Sequence, residues 1–236
     1  MSGWGRKVFW KDVSVIEAPE GFAIALDGRP IKTPAKAALV VPTRALADLV
    51  AAEWTAQQGE VKPETMPATR AANAALDKVR GQFGEVASLL TAYGETDLLC
   101  YRAEGPAQLV ARQAAAWDPL LDWSADRFGV NWTVTTGVMP APQSAATLAR
   151  LGAHVAGFTA FELTAFHDLV AMSGSLVIGL AATEGIASID ALWGASRIDE
   201  DWQVEQWGED DEATRLATLR RASFFDAARF FAASRR

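Results

Sequence analysis

The sequence predicts an α+β fold, a small antiparallel β-rich N-terminal part followed by a mostly α-helical C-terminal part. Short β-rich runs with turn signals are confined to the first 41 residues. From Thr43 onward, apolar residues recur at spacings of three and four, and alanine is abundant, which favours helix because it loses no side-chain entropy. The expected division is residues 1–65, a β-rich domain with the first helix, and 66–236, a helical domain, with the boundary falling somewhere in 60–105.

Four strands are expected at 8–10, 13–16, 22–26 and 39–41, separated by Pro19-Glu20-Gly21, Asp27-Gly28 and Thr33-Pro34. Asp27-Gly28 is a strong two-residue hairpin signal, because a type I′ turn needs positive φ at both central positions. Leu46, Leu49, Val50 and Trp54 mark the first helix, with Thr43 placed to cap it and Gly59 suited to follow it. Further helices are expected near 67–80, 82–92, 106–128, 143–156, 159–171, 175–183, 188–207 and 211–233. Residues 130–136 are either an isolated strand or a connection.

Charge and composition remove several function classes. Residues 1–198 carry 16 basic and 20 acidic side chains, and 199–236 carry 6 and 9. Neither portion has the cationic excess that phosphate neutralisation demands, so neither nucleic acid nor an anionic membrane is an expected partner. The longest nearly apolar stretch, 169–183, is too short for a bilayer span and no apolar signal region follows Arg6 and Lys7, so membrane insertion is not expected and a cytoplasmic location is. Nine tryptophans against two tyrosines is the compositional oddity.

The residues of ordinary catalytic chemistry are sparse. Cys100, His154 and His167 are the only soft metal ligands, and the histidines lie in different elements without zinc-site spacing. No metal or cofactor is therefore expected. Gly174 to Gly179 lacks the lysine of a phosphate loop, and neither Ser173 nor Ser175 lies in a known nucleophile motif. Cys100 reads as a small buried thiol, although Arg102 would lower its pKa if close. A carboxylate pair is the remaining catalytic route among 29 acids.

Two segments look built for contact. On an uninterrupted helix over 188–208, Ile189, Leu192, Trp193, Ser196, Glu200, Gln203, Val204 and Trp207 share one face, and Ile198, Trp202 and Glu205 lie roughly opposite. Trp193 and Trp207 then fill the core, and Trp202 is the partly exposed one. Glu200 needs Arg197 as a partner, a proton, or an accessible position. Residues 199–212 hold eight acids and no base, an acidic rim able to steer a basic partner. In the second segment, 106–129, Pro119 interrupts an apolar stripe, so a kink or a restart capped by Asp118 is expected.

Glu95 to Ala103, Trp117-Asp118-Pro119-Leu120-Leu121 and Glu200 to Gly208 together resemble the Atp-twelve family of ATP synthase assembly chaperones. Leu26 to Pro34, Glu53-Trp54 and Met66 to Arg70 fit the same family in the same order. The resemblance implies a non-enzymatic chaperone that binds the free α subunit of the F-one sector and prevents its aggregation until it pairs with β. It places Glu200 on the family's acidic position, with Gln203, Trp207 and Gly208 around it; Glu200, Trp202, Gln203, Glu205 and Trp207 are the expected partner-binding residues. The chain begins close to its first strand, which is expected of a bacterial cytoplasmic member. A carboxylate-dependent hydrolase and a permanent structural adaptor are the alternatives.

Overall fold

The computed structural model describes residues 7–137 and 139–235, grouped into two compact units. One contains the residues up to Phe83 with Thr159–Ala165 and those from Arg229 onward; the other contains Gly84–Phe158 and Phe166–Ala228. This partition groups 66–83 with the sheet, so its first cut, at Phe83/Gly84, falls within the 60–105 range expected for the boundary.

In the first unit, β1 (Val13–Ala18) pairs antiparallel with β2 (Gly21–Leu26), from Val13 opposite Leu26 to Ala18 opposite Gly21. Asp27 and Gly28 take φ of 46° and 76°, the turn their sequence predicts, and lead into β3 (Arg29–Pro30). β2 is the inner strand, because β4 (Val40–Val41) also pairs with it. That pairing is why residue 21 is glycine: a Cβ there would lie 2.1 Å from the Val41 carbonyl oxygen, at a φ of +148°. Residues 8–10, expected as a strand, form none. The Val8 amide bonds the Gly59 carbonyl, and just past this segment the Asp27 carboxylate accepts the Lys11 and Asp12 amides, so partners distant in sequence hold this part of the chain in place of a strand ladder.

The first helix, α1 (Arg44–Thr55), is capped by Thr43, whose hydroxyl oxygen accepts the Leu46 amide at 3.1 Å and whose O–H donates to the Ala233 carbonyl. Leu46, Ala47 and Val50 are buried. Glu53 reaches from α1 to the start of α2 (Pro67–Asp77), accepting the Ala68 and Thr69 amides at 2.6 and 2.7 Å and the Thr69 hydroxyl at 2.7 Å. A carboxylate on free N-terminal amides is electrostatically favoured there. This explains why Glu53 and the Met66 to Arg70 run occur together in the sequence.

The second unit is helical. Its elements are α3 (Phe83–Ala92), α4 (Ala107–Phe128), α5 (Ala145–Val155), the later part of α6 (Ala160–Ser173), α7 (Leu176–Glu184), α8 (Ile189–Ala195), α9 (Ile198–Trp207) and the first part of α10 (Asp211–Ser234). Residues 130–136 include a short strand, β6 (Thr135–Thr136), which pairs in parallel with β5 (Tyr101–Arg102). Pro119 neither kinks α4 into two helices nor makes Asp118 a cap. The helix runs through it, held by buried Trp117, Leu120 and Leu121, and Asp118 instead pairs with Arg102 at 2.7 Å.

The core of this unit gathers Leu99, Trp117, Leu121, Leu169, Val177, Ile178, Leu192, Trp193 and Phe224. α7 is buried on nearly every side, and Gly179 gives it the close approach to α6 that Val170 and Phe166 would deny a larger residue. Its start is fixed by Asp97, a fully buried carboxylate that accepts the Ser175 hydroxyl at 2.7 Å and the Val177 and Leu99 amides at 3.0 Å.

Burial pushes the Asp97 pKa up to about 6, against the opposite pull of those hydrogen bonds. A folded pKa above the unfolded one contributes stability that is full below the unfolded pKa and is lost as pH rises through about 6. Relative to an Asp97→Asn variant, the wild-type chain should lose on the order of 1 kcal/mol between pH 5 and pH 8. Urea melts of both proteins at the two pH values measure this difference; parallel pH dependences would contradict it.

Candidate partner interface

The 188–208 segment is two helices. Ser188 caps α8 through the Ala191 amide, and Leu192 and Trp193 are buried. At the end of α8 the Trp117 indole N–H donates to the Ala195 carbonyl at 2.7 Å, the acceptor that an uninterrupted helix would offer to the amide of Asp199. The Ser196 hydroxyl turns back to the Trp193 carbonyl at 2.7 Å, and α9 begins at Ile198. Across this break the covered side of the chain changes, from one centred on Leu192 and Trp193 to one made by Ile198, Asp199 and Trp202.

The tryptophan assignments are therefore exchanged. Trp202 is 8% exposed and Trp207 is 79% exposed, the reverse of what a continuous helix predicts. Trp193 is buried as expected. Trp202 lies under the Arg112 guanidinium, 4.9 Å from its ring centroid, and Arg112 also donates to Glu205 at 2.7 Å. The ion pair holds the Glu205 carboxyl below its ordinary range. Gln113, buried on α4, donates to Asp199 at 2.6 Å and accepts the Ala103 amide at 2.9 Å. Arg112, Gln113 and Asp199 carry no motif that would single them out from sequence; they emerge only when α4 is laid against α9.

Of the expected partner-binding residues, Glu200, Gln203, Glu205 and Trp207 are exposed together on α9, and Trp202 is their buried support. Glu200 pairs with Arg197 at 2.8 Å, yet 47% of its side chain remains accessible, so two of the options open for it hold at once. Arg197 in turn covers the Trp193 ring at 5.8 Å. Burial pushes the Asp201 pKa up, opposed by Arg197. Everything from Gln203 to Leu216 is exposed, including Val204, Trp207 and Leu216.

The candidate catalytic groups lie elsewhere and are engaged structurally. Burial, then the charge of Asp97, pushes the Cys100 thiol up to about 12, overriding the opposite effect of Arg102. His154 packs between Phe128 and Phe158, and His167 bonds Asp168 at 2.9 Å. Among the described residues, no group of three or more His, Cys, Asp or Glu is arranged to hold a metal ion, and no helix is long and apolar enough to cross a membrane.

The exchange of roles predicts opposite mutational costs. Trp202→Ala should destabilise the chain by about 3 kcal/mol, as emptying a buried indole site does. Trp207→Ala should change stability by no more than ~0.5 kcal/mol. Equal costs in chemical denaturation would contradict the assignment.

Residues 7–125 match the family described as ATP12 chaperone protein. The chain is 24% identical to the mitochondrial protein atp12 of Schizosaccharomyces pombe over 88% of its own length and 76% of that protein's. The crystal structure of Atp12 from Paracoccus denitrificans superposes with a TM-score of 0.94, at 45% identity, covering 97% of this chain and 98% of that one. An aspartate-to-lysine mutant of the Paracoccus protein matches equally well. A solved structure from Agrobacterium tumefaciens is 39% identical with a TM-score of 0.92, covering 96% and 85% of the two chains. The matched family and the agreement of fold over nearly the whole length place this chain in the ATP12 chaperone family.

Proposed function

We propose that this chain is a non-enzymatic, cytoplasmic holdase that binds the free α subunit of the ATP synthase F-one sector and keeps it from aggregating until it pairs with β. The observation that carries the reading is the exposure along α9, where Trp207 stands in solvent at the end of the helix and Glu200, Gln203 and Glu205 are exposed in the two turns before it. A large exposed aromatic flanked by polar groups has the composition of an interaction anchor, not of an ordinary monomer surface.

The physical division of labour follows from burial. Trp207 and Val204 provide apolar contact for client surface that is later covered by β. Glu200 and Glu205 provide orientation through cations on the client. Their present partners, Arg197 and Arg112, can be exchanged at little cost because both carboxylates are about half exposed, and such pairs contribute little. The eight acids of 199–212 speed encounter with a basic patch without adding much permanent affinity, which suits a chaperone that must release its client. Trp202 acts from beneath, fixing α9 against α4. Release then needs only a competing subunit, with no hydrolytic step.

Purified protein should suppress aggregation of purified free α subunit on mild heating, and Glu200→Ala should weaken that suppression while leaving the melting temperature nearly unchanged. Undiminished suppression by the variant would remove Glu200 from the mechanism. Capture of assembled ATP synthase in preference to free α subunit would instead favour a permanent adaptor, and substrate turnover abolished by Glu200→Gln would favour a hydrolase.

A further inference from the structure

The first three turns of α10 are an anomaly of the fold. From Asp211 to Ala222 only Ala217 is even partly buried, and Leu216 and Leu219 are 47% and 58% exposed. A helical stretch of this length gains too little from its own hydrogen bonds to be stable alone, and it is held here by continuity with buried Phe224 and Ala227. Its apolar residues stand at i and i+3, one helical face. Val204 and Trp207 repeat that spacing on α9, and only Gly208, Glu209 and Asp210 separate the two helices. Gly208 at φ +88° ends α9, and the Asp210 carboxylate accepts the Ala213 amide at 2.8 Å to start α10. The turn is thus well defined, while the two apolar ridges beside it lack cover.

We propose that the exposed ends of α9 and α10 form one two-helix docking surface, in which Val204, Trp207, Leu216 and Leu219 take a basic amphipathic segment of the client. The inference rests on the chaperone reading above and adds α10 to its site. Charge selects the occupant. Residues 199–222 carry eight acids against Arg215, Arg220 and Arg221, and Arg221 is already paired with Asp190. Such a surface repels anionic lipid and nucleic acid. A second copy docked by two-fold symmetry would bring the same eight acids against their equivalents, which is unfavourable. A segment with lysine or arginine flanking an apolar stripe satisfies both the ridges and the acids.

The test uses the full chain and purified F-one α subunit, with melting temperatures recorded for each variant. L216A combined with L219A should weaken α-subunit binding about tenfold at unchanged melting temperature, as loss of two contact side chains does. A ~18-residue synthetic Leu/Lys amphipathic peptide, five turns long, should compete with the α subunit. Leu/Glu and Lys/Ser peptides of the same length should not. Loss of binding in E200A with full binding in the leucine double variant overturns this inference and leaves the chaperone reading standing. Binding of the Leu/Lys peptide, lost in the double variant, by a wild-type chain that does not bind α subunit does the opposite. Equal competition by the Leu/Glu peptide, or a wild-type dimer that the double variant dissolves, overturns the proposed occupant.

Discussion

The hydrogen bond from the Trp117 indole to the Ala195 carbonyl is the constraint on which the interface depends. Trp117 is fully buried in the middle of α4, and the Arg102 guanidinium lies 5.2 Å from its ring centroid while pairing with Asp118. A buried indole N–H without an acceptor is costly, so the position of the Ala195 carbonyl is strongly specified. One turn earlier on α4, Gln113 engages Asp199, one turn later along the chain; beside it, Arg112 engages Trp202 and Glu205. α4 and α9 thus run antiparallel, with contacts at matched intervals. The end of α8, the turn of the chain at 196–197 and the direction of α9 all follow from this row.

That row also separates stability from recognition. Trp202 is the last α9 residue held by the core; beyond it the chain has no buried apolar residue until Phe224 in α10. Trp117, Gln113, Asp199 and Trp202, which hold α9, are partly or fully buried, and the exposed Arg112 closes over Trp202 from the solvent side. Those at its far end are exposed and either unbonded to the core or, in the case of Glu205, engaged in a half-exposed ion pair with Arg112, which exchanges readily. A surface built this way can vary its contacts without unfolding its support.

Much of this architecture is written locally. Asp27-Gly28 specifies its turn through the φ values it tolerates, Thr43 specifies the start of α1 through its hydroxyl, and the apolar spacing specifies most helices. The failures have a common cause in long-range contacts. The unpaired state of 8–10 depends on Gly59 and on the Asp27 carboxylate, and the continuity of α4 through Pro119 depends on the burial of its neighbours. Above all, the break between α8 and α9 is made by Trp117, nearly eighty positions away in sequence. Helical periodicity assumes a constant phase, so it could place Glu200, Gln203, Glu205 and Trp207 in one segment but could not tell which tryptophan faces outward. Leu216 and Leu219 gave no signal because exposed leucine and core leucine look alike in a sequence.

If the proposed interface is right, α9 beyond Trp202 and the first half of α10, exposed in the free chain, become covered by the client. Amide hydrogen exchange across 203–222, measured with and without purified F-one α subunit, tests this directly. Exchange should be rapid in the free chain and markedly slowed in the complex, with the amides around Trp117 and Trp193 slow in both. Protection of 203–222 in the free chain, or client-induced protection confined to other segments, would contradict it.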